Sequence, residues 1–348
     1  MGRAGLLIFT PSLTMHNNCS KIEGMKVFVT GGTGFIGSHL IDSLLAQNKY
    51  EIFALVRDPG NLKWLEGKNI HSLQGDLLSI PKLPSDLDYI FHLAGSTKAH
   101  KSADYYTVNQ SGTASLFQAL SAQELRPKKV IYLSSLAAAG PSRPGIPVKE
   151  SDPPQPVSPY GRSKLQGELE ALKYALDFHL IIARVGPVFG PRERDFLSYF
   201  KFLKMGILPS FGSSTHQMSI CYVSDLIRGL QMCLNADLKT GEVFNFADPT
   251  PYTWDEFGKT AAPLLGKNLK QIKFSLPIVY AIAFISEFVD RFKKKPGILS
   301  KEKIGEMRQS AWVADTQKAE EILGFRTNYS LAEGLEETLS WYSQHNWL

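Results

Sequence analysis

Of the thirteen tyrosines in the chain, only Tyr160 has a lysine four residues further on, in the stretch Tyr160-Gly-Arg-Ser-Lys164. Residues i and i+4 share a face of a helix, so a phenol and an ammonium can be brought to one place. A free phenol ionises near pH ~10. A neighbouring lysine and a bound nicotinamide cation would stabilise the phenolate and make tyrosine a usable base near neutrality. A second pair of candidates is Ser134 and Ser135 in "VIYLSSLAAAG", which end a buried, strand-like run. Ligands of α/β sheets bind at the carboxyl ends of parallel strands, where such hydroxyls would stand. The third is "VTGGTGFIG", with Gly31, Gly34 and Gly37 between a strand and a helix. Glycines there let the backbone turn tightly and approach a pyrophosphate held at the helix N-terminus. Each has a bland counterpart, a solvated helix face or a turn serine, but together they point to a dinucleotide-binding enzyme.

The elements that must position these groups are legible as an alternation. Lys26–Thr30 is a β-branched run, followed by the glycine turn and a helical pattern to about Ala46. Further strands are expected at 51–56, 71–74, 89–93, 130–134 and 180–185, separated by helical or loop segments. This rhythm predicts an α/β fold, a Rossmann-type doubly wound parallel sheet covered by helices on both faces. The proline-rich stretch 140–159 must be an irregular loop, after which a helix runs from Tyr160 to about Leu176. Residues 25–185 therefore read as the dinucleotide-binding domain. Residues 186–348 read as a smaller C-terminal substrate-binding lobe, with some segments returning to the first domain. Residues 1–24 read as a disordered extension, from an upstream start codon assigned in error.

The 348 residues are 43% apolar and 20% charged, with a formal charge of +5 spread along the chain. No basic patch interleaved with aromatics appears, so no nucleic-acid partner is expected. Cys19, Cys221 and Cys233 are few and far apart. They fit a reducing, cytoplasmic setting and form no disulfide framework or zinc motif. The histidines are scattered without ligand spacing, so no metal is expected. The apolar patch near the N-terminus is too short for a secretory signal. The stretch "LPIVYAIAFISEFVDRFKKK" at 276–295 is too short to span a bilayer. Its basic end would suit peripheral membrane contact, but a buried lobe helix is the preferred reading.

Taken in order, these motifs make the chain, from about residue 25 to 348, resemble the extended short-chain dehydrogenase/reductase family, also called the NAD-dependent epimerase/dehydratase family. "GDL" at 75–77, "FHLAG" at 91–95, "VNQSGT" at 108–113, "RVGPVFGP" at 184–191 and "YVSDL" at 222–226 support the resemblance. It implies a catalytic set of Ser135, Tyr160 and Lys164, with Ser135 preferred because the family's hydroxyl precedes a glycine, here Gly140, by five residues. Asn109 is implied as part of a proton relay. Gly31, Gly34, Phe35, Ile36 and Gly37 would wrap the pyrophosphate. Asp76 and Leu77 would border the adenine, and Leu93, Ala94 and Gly95 would line the cleft. Lys164 would also hold the nicotinamide ribose, with Pro187 and Val188 passing near the nicotinamide. A homodimer is common in the family.

Three departures bear on the substrate. Sugar dehydratases of the family follow their hydroxyl with Asp-Glu, where this chain has Leu136-Ala137, so dehydration is disfavoured. Nucleotide-sugar enzymes place an asparagine and an arginine where Pro187 and Met218 stand. The stretch 196–214 is rich in Phe, Leu and Met, and as lobe lining it would favour an apolar carbonyl compound. Its alternative is a helix burying one stripe in the lobe core. The expectation is hydride transfer on a small, apolar carbonyl or alcohol, closest in pattern to dihydroflavonol reductases and hydroxysteroid dehydrogenases. A nucleotide-sugar epimerase or reductase is the alternative, and a non-catalytic dinucleotide sensor or scaffold is the rival class. For the cofactor, Val56 stands where NAD-using relatives carry an acid, and Arg57 follows it. Arg57, with Lys63 as a second charge, predicts NADP over NAD, while Asp58 begins the turn before Pro59.

Overall fold

The first strand, β1 (Met25–Thr30), is buried over its last four residues. It pairs in parallel with β2 (Tyr50–Val56) on one side and β4 (Tyr89–His92) on the other. With β3 (His71–Gln74), β5 (Lys129–Leu133), β6 (Leu180–Val185) and β11 (Glu242–Phe246), these form a seven-stranded sheet of order β11-β6-β5-β4-β1-β2-β3. The order reverses between β1 and β4, so the crevice for a dinucleotide opens at the carboxyl ends of these strands. The computed structural model describes residues 24–60, 62–211, 216–274, 305–306 and 308–348. The expected N-terminal extension, save residue 24, and all of 276–295 lie outside the described residues.

Both sheet faces are covered, which is why the central strands read as continuous apolar runs rather than alternating ones. Val27, Val29, Ile181 and Ala183 face one core with α1 (Phe35–Leu45) and α7 (Val223–Asn235). Phe28, Ile90, Val130 and Ile182 face the other with α3 (Gly112–Ala122) and α5 (Pro159–Leu172). A short helix, α2 (Ser102–Tyr106), runs into α3 through a π-helical turn at Thr107–Ser111. The expected helix from Tyr160 begins at Pro159, where Ser158 caps it, and ends at Leu172, four residues short of the expectation.

Beyond β6 the chain builds small sheets. β7 (Val188–Phe189) pairs with β10 (Cys221–Tyr222), and β8 (Ile207–Phe211) pairs with β13 (Lys270–Phe274). β9 (Gln217–Met218) lies between β12 (Tyr252–Thr253) and β14 (Ala311–Trp312). The described part of the stretch 196–214 holds a helix and a strand: α6 (Leu197–Lys204) buries Tyr199, Phe200 and Leu203. Their rings pack against Phe257 of α8 (Trp254–Leu264) and Tyr342 of the C-terminal helix Leu331–Gln344. An aromatic stripe at helical spacing is most cheaply buried against another helix. Much of its apolar character thus serves the core, while Phe202 and Met205 stay exposed, at 38% and 71%. No helix among the described residues is long and apolar enough to cross a membrane.

Candidate active site

The glycine turn sits at the carboxyl end of β1. Gly31 has φ +75°, and a Cβ there would lie 2.7 Å from the backbone nitrogen of Ala94, so only glycine fits beside the β4 loop. A Cβ on Gly37 would lie 2.3 Å from the Gly31 carbonyl oxygen, which makes this turn of α1 close-packed backbone. Helix α1 starts at Gly34 without a side-chain cap and without an acidic residue in its first turn. The amides of Phe35, Ile36 and Gly37 are therefore orphan donors at the positive end of an 11-residue helix. That donor set fits a pyrophosphate.

Around this turn a buried hydrogen-bonded chain fixes the neighbouring strand ends. Thr113 Oγ1 donates to the Asn109 carbonyl at 2.8 Å, so His92 Nε2 donates to Thr113 at 3.0 Å. His92 Nδ1 then accepts from Thr30 Oγ1 at 2.7 Å, and Thr30 accepts from the Ala94 amide at 3.2 Å. Burial pulls His92 down to about 3, with the Lys164 charge adding to the effect, so the ring is neutral and can play both parts. Leu93, Ala94 and Gly95 follow β4 and are held against β1, with the Leu93 amide bonded to the Thr30 carbonyl at 3.2 Å.

The catalytic candidates converge at the end of β5. Ser135 caps the short helix α4 (Leu136–Ala139), its Oγ accepting from the Ala137 amide at 3.1 Å, and its hydroxyl acts on the Tyr160 phenol. Lys164, 4% exposed, donates to the Leu133 carbonyl at 2.8 Å, with its Nζ 4.6 Å from the Tyr132 ring centroid. Burial lowers the Lys164 ammonium to about 8, opposed by the Glu168 carboxylate. The Tyr160 hydroxyl is pushed up to about 12 by burial, which outweighs the Ser135 hydrogen bond and is reinforced by Glu306 and Asp195. Desolvation thus keeps Tyr160 a neutral phenol, and the Lys164 ammonium is occupied with the Leu133 carbonyl.

Asn109 lies in the π-helical turn, a feature frequent at functional sites. Its Oδ1 accepts from the Ser96 amide at 2.8 Å, and its Nδ2 donates to the Ser96 carbonyl at 3.0 Å and to Ser163 Oγ at 2.9 Å. The side chain braces the loop after β4 onto α5. At the far side of the crevice, Val56 is buried and Arg57 projects with its side chain 81% exposed. Arg57 Nε lies 4.0 Å from Asp76 Oδ2, and Asp76 also accepts from the Leu78 amide at 3.1 Å. Asp58 accepts from the Gly60 amide at 3.0 Å, the turn role expected of it. Leu77 is buried, and a Cβ on Gly112 would lie 3.0 Å from its side chain. Lys63 is exposed in a single 3-10 turn. Pro187 is exposed and Val188 enters β7. No group of residues among those described could hold a metal ion.

Sequence reasoning missed two parts of this site. Lys98, in the loop after β4, pairs with Asp195 of the loop before α6 and joins sheet domain to lobe beside Tyr160. Glu168 and Arg184 form a bidentate pair beneath Lys164, at 2.9 and 2.7 Å. The four-residue spacing Tyr160, Lys164, Glu168 on one face of α5 was the available signal for the second. Nothing local marks the first, because its partners are joined only by the fold.

The model of the NAD dependent epimerase/dehydratase family matches residues 27–247. A ceramide reductase of Caulobacter vibrioides is 27% identical, covering 92% of this chain and 96% of its own length. The human dTDP-D-glucose 4,6-dehydratase is 26% identical, covering 92% of this chain and 91% of its own. Among solved structures, UDP-glucuronic acid 4-epimerase from Bacillus cereus in complex with NAD superposes with a TM-score of 0.74 at 26% identity. It covers 92% of this chain and 99% of that one.

Proposed function

The chain belongs to the NAD dependent epimerase/dehydratase family, and from that premise we propose that it moves hydride at a hydroxyl-bearing carbon of a nucleotide sugar, as an epimerase or reductase. The observation that carries the chemistry is the convergence of Ser135, at the end of β5, on buried Tyr160, with buried Lys164 one helical turn away. A bound nicotinamide dinucleotide supplies the hydride acceptor and donor. Tyr160 exchanges the proton of the substrate hydroxyl, Ser135 hydrogen-bonds the oxygen as charge develops on it, and Lys164 steadies the phenolate. The names of the relatives, with sugar epimerases and dehydratases among them, support the sugar class over the small apolar carbonyl expected from sequence. Within that class, dehydration is disfavoured: Leu136 and Ala137, 5% and 8% exposed, carry no group that moves a proton.

A second reading, reduction of an apolar carbonyl, keeps one support in the chain and one in the comparisons. Pro187 and buried Met218 offer a diphosphate no donors, and one relative is a ceramide reductase. For the cofactor, the exposed Arg57 beside a buried Val56 supports NADP, although the Bacillus cereus epimerase is in complex with NAD. The deciding experiment incubates the protein with NAD or NADP and UDP- and dTDP-hexoses, following the sugar by NMR, and in parallel with NADPH and long-chain carbonyl lipids. Epimer formation without net nucleotide consumption supports the first reading. Stoichiometric NADPH oxidation by the lipid alone replaces it with the second.

A further inference from the structure

On α5, Tyr160, Lys164 and Glu168 follow one another at four-residue intervals, and the third member has no part in the reaction as described. Glu168 is 2% exposed. Its carboxylate accepts two hydrogen bonds from Arg184, itself 4% exposed on β6, and one from Ser134 Oγ at 2.5 Å. A buried ion pair is poor evidence for stability, since desolvation offsets most of the attraction. This one is placed where it touches the catalytic turn. Ser134 lies between Leu133, whose carbonyl receives Lys164, and Ser135, whose hydroxyl acts on the Tyr160 phenol. Three consecutive residues at the end of β5 are thus held from the side of α5 by Glu168, Lys164 and Tyr160.

We propose that Glu168 is a positioning residue, which fixes the Ser134–Ser135 turn through Ser134 and keeps the Lys164 ammonium charged and in place. The proposal rests on the reading of Lys164 as the partner of Tyr160. The other groups facing Lys164 cannot supply this. Tyr132 from β5 presents its ring face. His92 from β4 is neutral. Asn109 and Ser163 are uncharged and bonded to each other. Tyr160 starts protonated. Arg184 is a cation and would act in the opposite sense. Glu168 is the carboxylate whose charge supports the Lys164 ammonium against its burial.

The test reads the lysine itself in the nucleotide-free, full-length protein. Lysine labelled with carbon-13 at Cε is incorporated, Lys164 is assigned by its loss in Lys164→Arg, and its resonance is titrated. The wild-type midpoint is expected near 8, and in Glu168→Gln at least about one pH unit lower, because a like-shaped amide removes the charge one helical turn away. Should that variant not fold, Glu168→Gln combined with Arg184→Met removes the stranded cation as well, and a smaller downward shift is expected, because the cation that opposed Glu168 at Lys164 is gone too. A folded variant that titrates at the wild-type midpoint overturns the proposal. A shifted midpoint in a protein that turns over no substrate leaves the positioning role intact and counts against the functional reading instead.

Discussion

Replacing Arg57 with alanine should weaken NADPH binding about tenfold while leaving NADH within about twofold. The magnitude follows from the exposure of the side chain. A charge-assisted hydrogen bond to a phosphate contributes ~1.5–3 kcal/mol where it is protected. Arg57 is 81% exposed, so water and salt screen it, and about 1–1.5 kcal/mol remains. Asp76, 4.0 Å from Arg57 Nε, pushes the loss toward the upper value, because without the arginine its carboxylate faces the 2′-phosphate directly. NADH lacks that phosphate and meets only the adenine-stacking surface of the guanidinium. The assay is a fluorescence titration of both nucleotides against wild type and variant, at low and high ionic strength. The discrimination should shrink as salt rises. Equal weakening of both nucleotides, or of neither, would refute the assignment of Arg57 to the 2′-phosphate.

Tyr160→Phe removes only the hydroxyl, so turnover should fall by about a hundredfold or more while nucleotide affinity is kept; steady-state kinetics beside a binding titration checks this. Gly37→Ala would drive a methyl to 2.3 Å from the Gly31 carbonyl oxygen. Thermal unfolding with and without nucleotide should show the loss of nucleotide-induced stabilisation. His92 carries a pH signature: its folded value of about 3 lies below the unfolded 6.5, so the unfolded chain binds the extra proton. That contribution is whole above pH 6.5 and is lost as pH falls toward 3, at ~1.4 kcal/mol per pH unit within the window. Urea unfolding midpoints of wild type and His92→Gln, compared from pH 7 to pH 4, should converge as acid is added, and parallel curves would exclude the histidine as the source.

The sheet was legible because its strands are doubly buried. Runs such as Leu180–Val185 are closed on both faces, bounded by glycine or proline, and too short for helices. The glycine turn and the Tyr160–Lys164 spacing were legible for the same local reason, since each is a backbone requirement or a helical repeat written in adjacent residues. Outside the sheet this failed. β7, β9, β10, β12 and β14 are two residues long and have no periodicity to detect. In α6, a dense apolar stripe looked like a pocket wall because nothing in residues 196–204 announces that Phe257 and Tyr342 will cover it. Asn109 was found, but the brace it forms depends on Ser96 and Ser163, which only the fold brings to it.

The same division explains why the reaction is better constrained than the substrate. The residues proposed to handle the proton stand at the end of β5 and on α5, where Lys164 and Glu168 hold the two elements together and Arg184 ties in β6. The lobe is tied to the sheet domain by contacts between residues far apart in the chain, such as Lys98–Asp195 and Arg192–Asp42, which no local pattern announces. The protonation of Tyr160 carries the argument one step further. With its hydroxyl held near 12 by burial, the ligand-free protein offers the phenol as an acid, ready to deliver a proton to a carbonyl oxygen. To act as a base toward a hydroxyl it needs added positive charge beside it, which an oxidised nicotinamide provides and a reduced one does not. On the proposed reading, Ser135, Tyr160 and Lys164 would therefore serve reduction or epimerisation, with the redox state of the bound nucleotide setting the direction in which Tyr160 moves its proton.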